Sequence, residues 1–127
     1  MPHATAGDGT RIAYALCGRE DGEPLVLIQG LSADRRGWLR QRGTLGERYR
    51  LLLIDNRGVG ESDRPPGPYD LGEMAADVVA VMDDAGWDSA HVMGASMGGV
   101  IAQILGVPLE MSDDFTGWVR DALEFAT

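Results

Sequence analysis

Among the side chains whose types carry chemistry, one is set apart by its neighbours. Ser96 lies in the run Gly94-Ala95-Ser96-Met97-Gly98-Gly99, between an apolar stretch that opens at His91 and the apolar segment "GVIAQIL". A strand that turns sharply into a helix holds such a serine in a strained conformation, and the turn closes only if its flanking residues are small. Gly94, Gly98 and Gly99 meet that need. The same turn places the serine oxygen over a helix N-terminus, whose amides and positive dipole end favour a developing oxyanion. The plainer reading is a glycine-rich turn with a structural role only, and the apolar flanks favour the nucleophile.

A nucleophilic serine needs a base at roughly 3 Å, and the base needs an acid to orient it. The chain has two histidines, His3 and His91, both upstream of Ser96. His91 is on the same strand, and at about 3.3 Å per residue it falls ~16 Å from the serine, at the other end of the sheet. It reads as a strand-start residue. His3 belongs to a terminal segment prone to fraying. Neither supplies the base.

The remaining candidates carry less. Cys17 is the single cysteine, so it forms no internal disulfide and has no metal-ligand companion at useful spacing; no metal site and no cofactor are expected. Trp38, Tyr69 and Trp118 are either pocket or core residues, and core is the commoner fate of such aromatics.

The elements that must position Ser96 follow from the apolar pattern. "HATAGDGTRIAYALCG" reads as two short strands about the turn Gly7-Asp8-Gly9. "PLVLIQG" (24–30) and "RYRLLLIDNRG" (48–58) contain continuous apolar runs, as in strands buried on both faces. Between them a short, imperfect helix is expected around Trp38, Leu39 and Leu45. In 70–86, Leu71, Met74, Ala75, Val78, Met82 and Ala85 share one helical face. Asp70 with Glu73 forms the expected N-terminal capping pair and Gly86 the stop. A strand "DSAHVMGA" and a helix ending at Gly106 follow. This alternation predicts an α/β fold, a mostly parallel sheet flanked by helices.

At 127 residues the chain makes one globular body. A net charge of −9 with no basic cluster argues against nucleic acid and anionic membrane as partners and leaves a small neutral substrate. All basic residues are arginine, which bears on coding composition rather than mechanism. The N-terminus lacks a signal-peptide pattern, and no apolar run reaches the roughly 18 residues of a membrane span. With one cysteine, a reducing cytoplasm is the expected location.

Three segments in order, "LVLIQGLSADRRGW", "LLLIDNRGVGESDRP" and "HVMGASMGG", resemble the N-terminal half of the α/β-hydrolase superfamily, in its Ser-type esterase, lactonase and haloperoxidase-like branch. The resemblance covers roughly residues 1–106. It implies Ser96 as nucleophile, with the backbone amides of Met97 and Leu31 as oxyanion-hole donors and Gly30, Gly94, Gly98 and Gly99 shaping the site. Gln29 stands where the family usually has histidine before that glycine. Because a backbone amide serves there, the hole need not be lost. The loop holding Asp55, Arg57, Gly58, Gly60 and Ser62 reads as structural, its charged pair tying it down beside the site. Serine rather than aspartate at the elbow implies hydrolysis of an ester or lactone through an acyl-enzyme.

In the family the acid and histidine follow later strands. After Gly106 the sequence instead has Phe115, Trp118, Val119, Ala122, Leu123 and Ala126 at helical spacing behind a Ser112 cap. An amphipathic helical tail over 107–127 is expected, as part of a lid, as a segment joined on by deletion, or simply as a core cover. Asp113, Asp114 and Asp121 have no alignment to the family's acid. A hydrolase truncated in this way exposes its elbow strand at the sheet edge. That edge predicts a homodimer, a complementing C-terminal chain, or poor solubility. Two functions stay open: a serine hydrolase that draws its acid and histidine from elsewhere, and a non-catalytic binding or interaction domain of the same fold.

Overall fold

The computed structural model describes residues 1–106. The expected tail over 107–127, with Trp118 and its aspartates, lies outside the described residues.

Two aliphatic strands form the centre of the sheet. In β3 (Glu23–Ile28) and β4 (Tyr49–Ile54) the last four residues of each are buried without alternation, because both faces of these strands are covered. They are parallel, and β5 (His91–Gly94) joins the other side of β3, also parallel. β1 (His3–Thr5) and β2 (Arg11–Gly18) form the expected hairpin, and β2 runs antiparallel to β4. The order is β1-β2-β4-β3-β5. The parallel arrangement thus belongs to the central strands and β5, and the N-terminal hairpin makes the sheet mixed.

Successive side chains on a strand point to opposite faces. Val26, Ile28, Leu52 and Ile54 pack under α2 (Leu71–Ala85) and α3 (Met97–Gly106) with Val78, Val81 and Ile101. Leu25, Leu27, Leu51 and Leu53 gather on the other face around Trp38. That cover is thinner. The expected single helix is split into a 3-10 turn (Arg35–Trp38) and a five-residue α1 (Arg42–Gly46). Gly37, Gly43 and Gly46 lower helix propensity through this stretch. Trp38 enters the core at 1% exposure, but Leu39 faces solvent at 66%.

α2 begins at Asp70, whose side chain accepts from the Gly72 N–H at 2.6 Å, and stops at Gly86 in the left-handed conformation. The expected reciprocal cap from Glu73 is replaced by another contact: Glu73 lies 3.5 Å from the buried guanidinium of Arg57. Val81, absent from the expected face, is fully buried. Among the described residues β5 forms the sheet edge, with Val92 and Met93 half-buried. No described helix is long and apolar enough to cross a membrane.

Candidate active site

β3 and β5 end together, with Ile28 opposite Gly94, so the segments that follow them lie side by side. The Ala95 N–H donates to the Ile28 carbonyl at 3.0 Å. Ser96 then takes φ 55°, a left-handed conformation that costs on the order of 1–3 kcal/mol for a residue with a side chain. Its side chain is exposed, and α3 starts at the next residue. Helix and strands are in backbone contact here. A Cβ on Gly94 would lie 2.1 Å from the Gly98 carbonyl oxygen, and one on Gly98 would lie 2.1 Å from that of Ile28. Only glycine fits either position.

The segment after β3 touches the serine. A Cβ on Gly30 would sit 3.1 Å from Ser96 Cβ and 3.6 Å from Oγ. Leu31 follows, 80% exposed, and Ser32 is the other non-glycine residue with positive φ among the described residues, at 64°. The Gly30 N–H donates to the Gln29 side-chain oxygen at 3.2 Å. The N–H groups of Leu31 and Met97 donate to no other described residue. Gln29 therefore takes up the Gly30 amide, and the Leu31 amide has no acceptor among the described residues. Its side chain fills the space over Gly37, where a Cβ would fall 2.5 Å from the Gln29 amide nitrogen. The Gln29 carbonyl accepts from Asn56 Nδ2 at 3.1 Å, a brace between the two loops that no sequence pattern announced.

The loop after β4 is tied down, but not by pairing Asp55 with Arg57. Asp55, fully buried, accepts from the Arg35 and Glu61 backbone N–H groups at 2.7 and 3.0 Å and pairs with the Arg35 guanidinium. Ser62 Oγ donates to the Asp55 carbonyl at 2.6 Å and accepts from the Ala13 N–H at 2.8 Å. Arg57 forms a two-pronged bridge to Asp77 on α2, at 2.7 and 2.8 Å, with Asp8 3.0 Å away. Chiefly through Asp77, its guanidinium is held still more firmly protonated than usual. The Asp8 carboxyl is lowered to about 2, first by the Thr10 backbone N–H and hydroxyl and then by Arg57. Asp77 escaped the sequence reading, although an aspartate between Met74, Ala75 and Val78 was the available signal that the helix face meets a buried cation.

The structure brings Ser96, Leu31, Met97 and the glycines together and leaves both histidines apart from them. His91 Nε2 lies 3.0 Å from the Glu23 carboxylate, at the opposite end of β5 from Ser96. His3 contacts the carbonyls of Met1 and Glu61. Ser96 Oγ has no hydrogen-bond partner among the described residues. A cavity of about 340 Å³ is lined by its neighbours Gly30, Leu31 and Met97 together with Tyr69, Leu71 and Met74. Tyr69 is thus a pocket residue, whereas Trp38 is core. No cluster of described residues is arranged to hold a metal ion.

An exposed serine on a strained strand-to-helix turn, at the C-terminal end of this sheet order, defines a fold class, and the comparisons agree. Residues 23–106 match the alpha/beta hydrolase fold family, and the chain belongs to it. It is 37% identical over 105 residues to RutD of Azorhizobium caulinodans, a carbamate hydrolase candidate, covering 83% of this chain and 38% of that protein. A solved hydrolase from Pseudomonas aeruginosa PA01 superposes with a TM-score of 0.81 at 33% identity, covering 84% of this chain and 40% of the other. The enol-lactonase of Burkholderia xenovorans LB400 gives 0.78 at 33%, covering 83% and 41%. The chain spans about two fifths of the length of these relatives.

Proposed function

We propose that this chain carries the nucleophile and oxyanion half of a serine hydrolase acting on carboxylic esters or lactones. The observation that supports it best is an exposed serine held at positive φ, followed in sequence by Met97 and contacted by Gly30 of the neighbouring loop, with the Leu31 and Met97 amides lacking acceptors among the described residues. In this reading Ser96 Oγ attacks the carbonyl carbon, and the carbonyl oxygen takes its charge between the two N–H groups. The alcohol or enolate then leaves, and water releases the acyl group. The apolar cavity beside Met97 accepts the acyl chain.

The proton from Ser96 goes to a histidine outside residues 1–106. That histidine and its acid come from a complementing polypeptide seated on the β5 edge, because a second copy of this sequence brings only His3 and His91. The enol-lactonase and hydrolase relatives support the reaction class.

The test is fluorophosphonate labelling of the 127-residue chain, read by peptide mass spectrometry with Ser96→Ala as control. An adduct on Ser96 is expected, slow on the chain alone and faster with the complementing segment. A folded chain that takes no adduct under either condition favours the second reading, a binding domain. The separation of both histidines from Ser96 is the observation on that side.

A further inference from the structure

A second cavity, of about 480 Å³, adjoins the apolar one: Ser32, Gly58 and Val59 line both. Its walls are the segment after β3 and the loop after β4, and its lining includes Arg35, Arg36, Arg64 and Glu61. Two of these arginines are already neutralised, Arg35 by Asp55 and Arg36 by Asp34. Arg64 differs. Its Nε and Nη2 donate to the carbonyls of Gly58 and Gly60, both at 3.3 Å, and it has no carboxylate partner among the described residues. Carbonyl oxygens orient a guanidinium without cancelling its charge, and Nη1 keeps its donors. An arginine held in this way is matched in shape to a carboxylate. Glu61 is the opposing feature, a carboxylate on the cavity wall with no ion pair of its own among the described residues.

We propose that this cavity holds a carboxylate borne by the substrate, with Arg64 as its contact and Glu61 setting a limit on affinity. The inference rests on the hydrolase reading and narrows it: the preferred substrate is an ester or lactone with a free carboxylate several bonds from the scissile carbonyl. The apolar cavity takes the linking chain. Because the chain's net charge is −9, its long-range field does not gather anions, so recognition is local.

The probes are monoethyl adipate and diethyl adipate, which share the chain and the ester and differ in the carboxylate. Binding is measured on the Ser96→Ala protein by NMR titration of the Gly58–Glu61 amides and the Arg64 Nε–H. The monoester should bind about tenfold more tightly, in line with one charge-assisted hydrogen bond. Arg64→Gln should erase that preference, and Glu61→Gln should raise monoester affinity a few-fold. Both positions are exposed, so folding is retained. Equal affinity for the two probes, or a preference that survives Arg64→Gln, overturns the proposal. Preference without fluorophosphonate labelling of Ser96 leaves the anion site standing and removes the hydrolase reading, and labelling without preference does the reverse.

Discussion

At the N-terminal end of β5, His91 and Glu23 lie together on a part-exposed surface; at its C-terminal end, polar groups are left over. There Leu31 and Met97 keep their amides, Ser96 and Ser32 hold positive φ, and two cavities meet. Both ends belong to the same strands and follow the same register. The difference is that one end carries strain and unspent donors, which persist only because the surroundings over-determine them. The buried pairs Arg57–Asp77 and Arg35–Asp55 are that over-determination, since both tie down the loop that borders the cavities.

The sharpest way to break the contrast is to remove a partner of the buried bridge. Asp77→Ala takes the two-pronged partner from buried Arg57, leaving it only the half-exposed Asp8 and Glu73, and should cost about 3 kcal/mol in urea unfolding. Next comes Gly98→Ala, which presses a methyl group against the β3 backbone and should cost about 1–3 kcal/mol. A loss under about 0.5 kcal/mol would mean that the elbow is looser than described.

Ser96→Gly should move stability the other way, gaining about 1 kcal/mol by releasing the left-handed strain while abolishing fluorophosphonate labelling. A neutral or negative change would show that the turn stores little strain. Smaller again is the acid limb. Folding lowers the Asp8 carboxyl from 3.8 to about 2, so its contribution is complete above pH ~4 and fades as pH falls towards 2. The stability gap between the native chain and Asp8→Asn should close over that interval, and a gap that widens contradicts it. The quiet end of the sheet gives the smallest effect: His91→Ala should stay within about 0.5 kcal/mol, as for other part-exposed surface contacts.

Much of this arrangement was legible in the sequence, for identifiable reasons. The glycines about Ser96 are demanded by backbone contact, and the aliphatic runs of β3 and β4 by burial on both faces; each leaves a local trace. The cap at Asp70 and the stop at Gly86 are local as well. What escaped was long-range. Asp77 finds Arg57 only after α2 has folded back on the sheet, and Asn56 reaches Gln29 only because β3 and β4 end side by side. Near Trp38 the short, imperfect helix expected is divided in two because three glycines interrupt it, and Leu39 is left in solvent.

The strand order has a consequence for how the chain is made. β3 is bounded by β4 and β5, which come later in the sequence, and Leu25 meets its partner His91 only when most of the described chain exists. During synthesis at about 5–20 residues per second, one side of β3 waits for seconds with an aliphatic edge unpaired. The antiparallel hairpin of β1 and β2 needs no such delay. Nascent-chain aggregation should therefore begin at β3, and a chaperone that shields residues 23–28 during those seconds would raise the yield of folded protein more than one acting after release.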